Sequence, residues 1–272
     1  MGQHWTLDDI AWRSFDAARV DRDVLLAVKA ASMVESHSDD YVAYLRGVFH
    51  DDADFQREAE RWGSEELQHG AALRRWAELA DPGWDFEASF RRFKAGHVLP
   101  LDATESVRGS RTGELIARCV VEVGTSSFYS ALRDSVAEPV LKQICGHIAA
   151  DEFRHYKLFY ANSKRYRRLE RSTLAARLWA ALARMRESDD DELAYAFYCG
   201  SGDRRPYDRR THYRAYAARA YRHYRFGHVA HGINMTLKAV GISPRSRLAN
   251  AVVRLGWKLF RARTRRLDAA FA

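Results

Sequence analysis

Over most of the chain apolar positions recur every three or four residues, and alternating strand-like runs are scarce. That periodicity predicts amphipathic helices and an all-α fold. Residues 22–49 read as one long helix, and the polar stretch "HDDAD" follows it. A second helix is predicted from about 53 to 80, ended by Pro82 and Gly83. Next comes a connector, residues 81–111, with Pro100, several glycines and a short helix expected around "FEASFRRF". Helices three and four are predicted over about 112–136 and 140–168, divided near Pro139. From 172 onward the pattern predicts three or four shorter helices, interrupted by "YCGSGDRRPYD" and "GISPRS".

Two stretches break the apolar faces in the same way. "SEELQHG" (64–70) and "ADEFRHY" (150–156) both read acid-Glu-x-x-His, and each lies in the second helix of a predicted hairpin. Residues three apart on a helix share a face, so Glu66 with His69 and Glu152 with His155 each form one inward-facing pair. Glu35 and Glu66 lie at equal distances from the "HDD" turn, and Glu122 and Glu152 at equal distances from position 137, beside Pro139. In an antiparallel hairpin equal distance means equal depth, about 22 Å from the turn at 1.5 Å per residue. Two packed hairpins would then place four glutamates and two histidines in one layer. Carboxylates buried together repel and are costly unless compensated. Two iron ions held by Glu35, Glu66, His69, Glu122, Glu152 and His155 cancel that charge, in the Glu-plus-Glu-x-x-His pattern of di-iron bundles. The acids preceding the ligands, Glu65 and Asp151, are expected to accept the remaining imidazole N–H groups, Asp151 from His69 and Glu65 from His155.

"WGSEELQHGAALRRWAEL" (62–79) and "LKQICGHIAADEFRHYKLFY" (141–160) resemble the two iron-binding helices of the soluble acyl-acyl-carrier-protein desaturases. That family reads Trp-x-x-Glu-Glu-x-x-His-Gly in the first helix and Ile-Cys-Gly-x-Ile-Ala-Ala-Asp-Glu-x-Arg-His in the second. Ile144, Cys145, Gly146, Ile148, Ala149, Ala150, Asp151, Glu152, Arg154 and His155 all match. Glu35 and Glu122 fall where the family places its other ligands. Thr125, one turn after Glu122, matches a threonine beside the dioxygen site that is linked to proton delivery. The resemblance covers roughly residues 25–168. It implies a ferritin-like four-helix bundle in residues 1–170, with the connector as its long crossover; residues 171–272, which do not resemble the family, are expected to form a basic helical extension packed on the bundle. It further implies dioxygen-dependent desaturation of a carrier-bound fatty acyl chain in a buried apolar channel, an acyl carrier protein as partner, an external electron donor such as ferredoxin, and a homodimer. A ferritin-like oxidase or hydroxylase on another substrate, or a non-enzymatic iron-binding protein, is the alternative. Leu73 stands where a ribonucleotide reductase small subunit would carry a tyrosine. His147 is turned away from the ligand face, so no seventh ligand is expected.

Charge adds one feature. The net balance is +8, yet residues 201–272 hold 17 Lys/Arg against 3 Asp/Glu, leaving the first 200 residues with 27 against 33. So basic a C-terminal third predicts either a solvated helix face, docking of an acidic carrier protein, or contact with a membrane surface through "RLANAVVRLGWKLFRARTRR". Arg261, Arg263, Arg265 and Arg266 are the expected contacts. No recognition motif supports nucleic acid. His223, His228 and His231 are expected to be structural, without an acidic partner. Cys119, Cys145 and Cys199 are odd in number and far apart, which argues against a disulfide framework and for a reducing cytoplasm. The opening "MGQHWTLDDIAW" has no basic start followed by an apolar run, and no run is long enough to span a bilayer.

Overall fold

The computed structural model describes residues 4–187 and 191–271, so the first three residues of the N-terminal stretch lie outside the described part. Every regular element among the described residues is helical. Five helices cover the region of the two hairpins and the connector: α1 (Arg22–Glu35), α2 (Ser38–Val48), α3 (Ala53–Ala80), α4 (Phe86–Gly96) and α5 (Arg111–Arg133). α6 (Pro139–Leu169) completes the second hairpin. Their starts are written locally. Asp21, Asp52, Asp85 and Ser110 accept hydrogen bonds from the first-turn N–H groups of α1, α3, α4 and α5. Glu138 does the same for α6, with Pro139 at the first helical position, where a missing N–H costs nothing.

The long helix expected over 22–49 is two. α1 stops at Glu35, and the chain turns through Ser36 and His37 before α2 begins. Contacts from distant residues fix the break. The Ser38 hydroxyl donates to the Gly63 carbonyl at 3.0 Å, and α3 approaches Ser36 so closely at Gly70 that a Cβ there would lie 2.4 Å from the Ser36 oxygen. Only glycine at position 70 lets the two backbones meet beside the metal-ligand motif.

Beyond α6 the chain forms five helices rather than three or four: α7 (Leu174–Glu187), α8 (Asp191–Ser201), α9 (Arg209–Tyr221), α10 (Phe226–Val240) and α11 (Arg247–Phe271). The "YCGSG" stretch, read as an interruption, lies partly inside α8. Gly241 closes α10 at φ 96°, the left-handed conformation in which a side chain is unfavourable. α7 and α10 pack on α5, and α8 packs on α1, while α11 reaches the others through α9 and α10.

Two large apolar clusters flank the region of the Glu-x-x-His motifs. One cluster gathers Met33, Leu73, Trp76, Tyr129 and Ile144 with Phe197 and Tyr216 from α8 and α9. The other gathers Phe49, Phe55, Trp62, Tyr156 and Phe159. α3 passes from Trp62 in the second cluster to Leu73 in the first, and α6 from Ile148 to Phe159, so both Glu-x-x-His motifs fall in the layer between. Each fully buried large apolar side chain stabilises by about 1.5–3 kcal/mol, which lets the two slabs offset the cost of a polar layer. No helix among the described residues is long and apolar enough to cross a membrane.

Candidate metal centre

The six predicted side chains meet in that layer. Glu35 comes from the last turn of α1, Glu66 and His69 from the middle of α3, Glu122 from α5, and Glu152 and His155 from α6. All are buried, from 7 % exposed at Glu35 to none at His69. They form two overlapping sets whose donor atoms lie within 4.8 Å of one another: Glu35, Glu66, His69 and Glu152, and Glu66, Glu122, Glu152 and His155. Glu66 and Glu152 belong to both. Glu66 places one oxygen 3.4 Å from His69 Nδ1 and the other 3.0 Å from His155 Nδ1. Glu152 spans the same pair at 3.3 and 3.9 Å. Glu35 sits on the His69 side at 4.0 Å, and Glu122 on the His155 side at 3.6 Å.

Both imidazoles are oriented from behind. His69 Nε2 donates to Asp151 at 3.0 Å, and His155 Nε2 to Glu65 at 2.8 Å. Each histidine of one motif therefore leans on the acid of the other, and each Nδ1 lone pair is turned toward the carboxylates. Arg154 bridges Asp151 and Glu65. The Thr125 hydroxyl lies 3.2 and 3.0 Å from the carbonyls of Val121 and Glu122, the usual helix bond, and 2.6 Å from Glu152 Oε2.

A test of fit comes from the polar atoms left without partners. Among buried side chains these include Nδ1 of both His69 and His155, both oxygens of Glu122, and Oε1 of Glu152. Buried polar atoms are nearly always hydrogen-bonded, yet here unpartnered donors converge from three helices on one volume. Electrostatics agree. Burial, then the Glu66 carboxylate, push the Glu35 carboxyl well above the usual range. Burial also pushes Glu122 up, reinforced by Glu152 and Glu66. For His69 and His155 burial disfavours the charged ring, but the negative carboxylates around them outweigh it and hold both well above the usual imidazole range. Protein alone must thus take up protons here to offset its own charge. Metal cations do the same while satisfying the orphaned atoms.

Three contacts were not visible in the sequence. Trp5 Nε1 donates to Asp151 at 2.6 Å and its ring stacks on His69, 6.0 Å between centroids. His4 Nε2 is 2.9 Å from the same carboxylate. Short 3-10 turns at Leu7–Asp9 and Trp12–Ser14 run on from this segment, tied to α6 by paired bonds between Gln143 and the backbone of Asp9 and Ala11. The Tyr129 hydroxyl donates to Glu35. Tyr129 lies two turns after Glu122, so helical spacing could have placed it on the ligand face. Nothing local marks Trp5. His147 stacks on Trp5 at 5.0 Å and stays out of both ligand sets.

A cavity of about 60 Å³ opens on the cluster, walled by Glu35, Glu122, Thr125, Glu152, Arg118 and Tyr41 among others. An outer cavity of about 250 Å³ shares Tyr41, Arg118, Arg184 and Glu192 with it. The basic C-terminal side chains prove partly structural. Arg263 donates to the Tyr213 hydroxyl at 2.5 Å and lies over the rings of Tyr213 and Tyr221, so it does not belong with free surface cations. His228, expected to lack an acidic partner, has Asp134 at 3.0 Å, supplied by the end of α5. No protein-family model matches the chain, and no curated protein matches it.

Proposed function

We propose that this chain is a di-iron, dioxygen-dependent oxidoreductase on a ferritin-like bundle, and that it desaturates an acyl chain presented by an acidic carrier protein. The observation that carries the redox reading is the pair of ligand sets sharing Glu66 and Glu152, with their donor atoms orphaned. Four carboxylates and two imidazoles form the mixed oxygen and nitrogen set that suits iron in such bundles. The substrate rests on the resemblance of residues 62–79 and 141–160 and on the basic C-terminal third.

Glu66 and Glu152, common to both sets, would help hold two ions, with Glu35 and His69 on one side and Glu122 and His155 on the other. Bound iron supplies the electron transfer that dioxygen chemistry requires, fed by an external donor such as ferredoxin. The chain itself supplies the rest. Asp151 and Glu65 fix the imidazole tautomers. The two apolar slabs exclude bulk water. The Thr125 hydroxyl, at the cavity wall and 2.6 Å from Glu152, would hold a proton beside the ligand sets.

The cavity favours a second reading, oxidation or hydroxylation of a small substrate. About 60 Å³ is small for a long alkyl chain, which would need the walls to part. Mass spectrometry after a single turnover separates the two. Iron-loaded, reduced protein is mixed with dioxygen and a panel of acyl-carrier proteins. Loss of two hydrogens from one chain length is the expected result. Gain of one oxygen makes the protein a hydroxylase, and no change across the panel, with two irons bound, overturns the carrier-bound substrate.

A further inference from the structure

A second convergence of donor atoms lies outside the paired cluster. His37 sits in the turn between α1 and α2, His97 caps the C-terminal end of α4, and Glu192 lies in the first turn of α8. Each offers a donor atom, and the three atoms lie within 4.8 Å of one another. His37 is 1 % exposed, and its Nε2 donates to Asp40 at 2.7 Å. That bond fixes the tautomer and leaves Nδ1 as a lone pair, and Nδ1 has no partner. His97 Nε2 is likewise buried and unpartnered, 3.5 Å from Glu192 Oε1, too far for a good hydrogen bond. The Tyr41 hydroxyl orients Glu192 through a 2.6 Å bond, and Lys94 holds the other Asp40 oxygen at 3.3 Å. Phe93 packs on both imidazoles, edge-on to His37 and stacked on His97.

Two buried ring nitrogens without hydrogen-bond partners, beside one carboxylate, are poorly explained as packing, because buried polar atoms are nearly always paired. A cation satisfies all three. Two imidazoles and one carboxylate, with a carboxylate behind the buried imidazole, are the donor set of a four-coordinate zinc-type ion that keeps one position open. We propose that His37, His97 and Glu192 form a mononuclear site for a divalent transition metal ion such as zinc, separate from the paired cluster. The three residues come from three elements far apart in sequence, so the ion ties the ends of α4 and α8 to the turn that follows Glu35. His97 and Glu192 also line the outer cavity, and Glu192 lines the inner one. The ion therefore sets the width of the passage between them.

Metal counting tests this directly. Full-length protein is stripped with a chelator, dialysed against Co²⁺ or Zn²⁺, and its bound metal measured per chain, with the Co²⁺ visible spectrum recorded alongside. Wild type should bind one ion more than the His97→Gln/Glu192→Gln double variant, and lose the intense tetrahedral Co²⁺ band with that substitution. The difference of one is the readout, whether or not the paired cluster fills, so failure here and failure of the di-iron reading are distinguishable. Equal counts in the two proteins overturn the site. Should the double variant lose helix content by circular dichroism, Asp40→Asn decides. It removes only the orienting carboxylate and should weaken one class of ion by about 10–100-fold. Unchanged affinity in that variant overturns the site as well.

Discussion

On the His69 side of the paired cluster, the Tyr129 hydroxyl holds one oxygen of Glu35. Behind it Asp151, 1 % exposed, gathers His69, Trp5, His4 and Arg154. On the His155 side neither oxygen of Glu122 has a partner, and the orienting acid is Glu65, whose side chain is 20 % exposed. One helical motif, used twice, thus yields a half positioned by the protein and a half whose Glu122 carboxylate has no hydrogen-bond partner among the described residues. A ligand already held loses less entropy on binding. The His69 half should therefore bind metal more tightly, while the freer Glu122 can shift as ligands change at the side facing Thr125 and the inner cavity. The repeat in sequence is symmetrical, and the asymmetry comes from residues outside it.

Removing the shared ligands should have the largest effect and erase the comparison. Glu66→Ala or Glu152→Ala takes a donor from both sets, so bound metal should fall toward zero per chain, whereas Glu122→Ala should leave the His69 half occupied. Equal losses from Glu122→Ala and Glu66→Ala would mean that the halves do not fill independently. Next come the orienting acids. Asp151→Asn should weaken metal binding by about 10–100-fold, the usual cost of losing a ligand's orienting partner. Glu65→Gln should fall at or below the lower end, because its carboxylate is partly solvated. Competition with a coloured chelator ranks the two, and the reverse order would refute the asymmetry. Tyr129→Phe is smaller again. It leaves a buried carboxylate oxygen without its donor, a cost of about 1–3 kcal/mol, to be read from urea denaturation of the metal-free protein. No loss of stability would show that the hydroxyl does not hold Glu35.

The features written in the sequence are those in which one local period carries the information. Glu66 with His69 and Glu152 with His155 are spaced for one helix face, and equal distances from two turns set Glu35 and Glu122 at their depth. The break after Glu35 was hidden because it depends on Gly63 and Gly70, about thirty residues away in sequence and adjacent in space. Trp5 reaches Asp151 from 146 residues away, out of a segment with no periodicity to read. His37, His97 and Glu192 come from three elements with no shared spacing, so no motif could announce them. In the C-terminal third the helical pattern was legible, but the use of its cations was not. Arg263 turns inward to tyrosine rings that only tertiary packing brings near.

The smallest effect concerns how the outer helices grip the half with the freer carboxylate. α10 packs on α5, which carries Glu122, and it is pinned beside the end of α5 by His223 against Ser135 in the segment before α10 and by His228 against Asp134 in its first turn. Burial, then the Arg222 guanidinium, lower the His223 ring to about 4 from 6.5, with Asp21 and Asp23 opposing. Burial lowers His231 on α10 in the same direction. A base whose folded value is depressed takes up its proton in the unfolded chain first. Its contribution is intact above about 6.5 and is lost as pH falls toward 4. Thermal stability of the metal-free protein should therefore carry a His223 component that declines between pH 6.5 and 4.5, set against the opposite trend from Glu35 and Glu122, whose raised values favour the folded state as pH falls. His223→Gln should flatten that decline, and because the ring is partly solvated the change should be modest. Hydrogen exchange then locates it. Amides of α10 should lose protection on acidification before those of α1 and α3, which hold the other half, and an even loss across the three helices would detach the acid response from the asymmetry of the cluster.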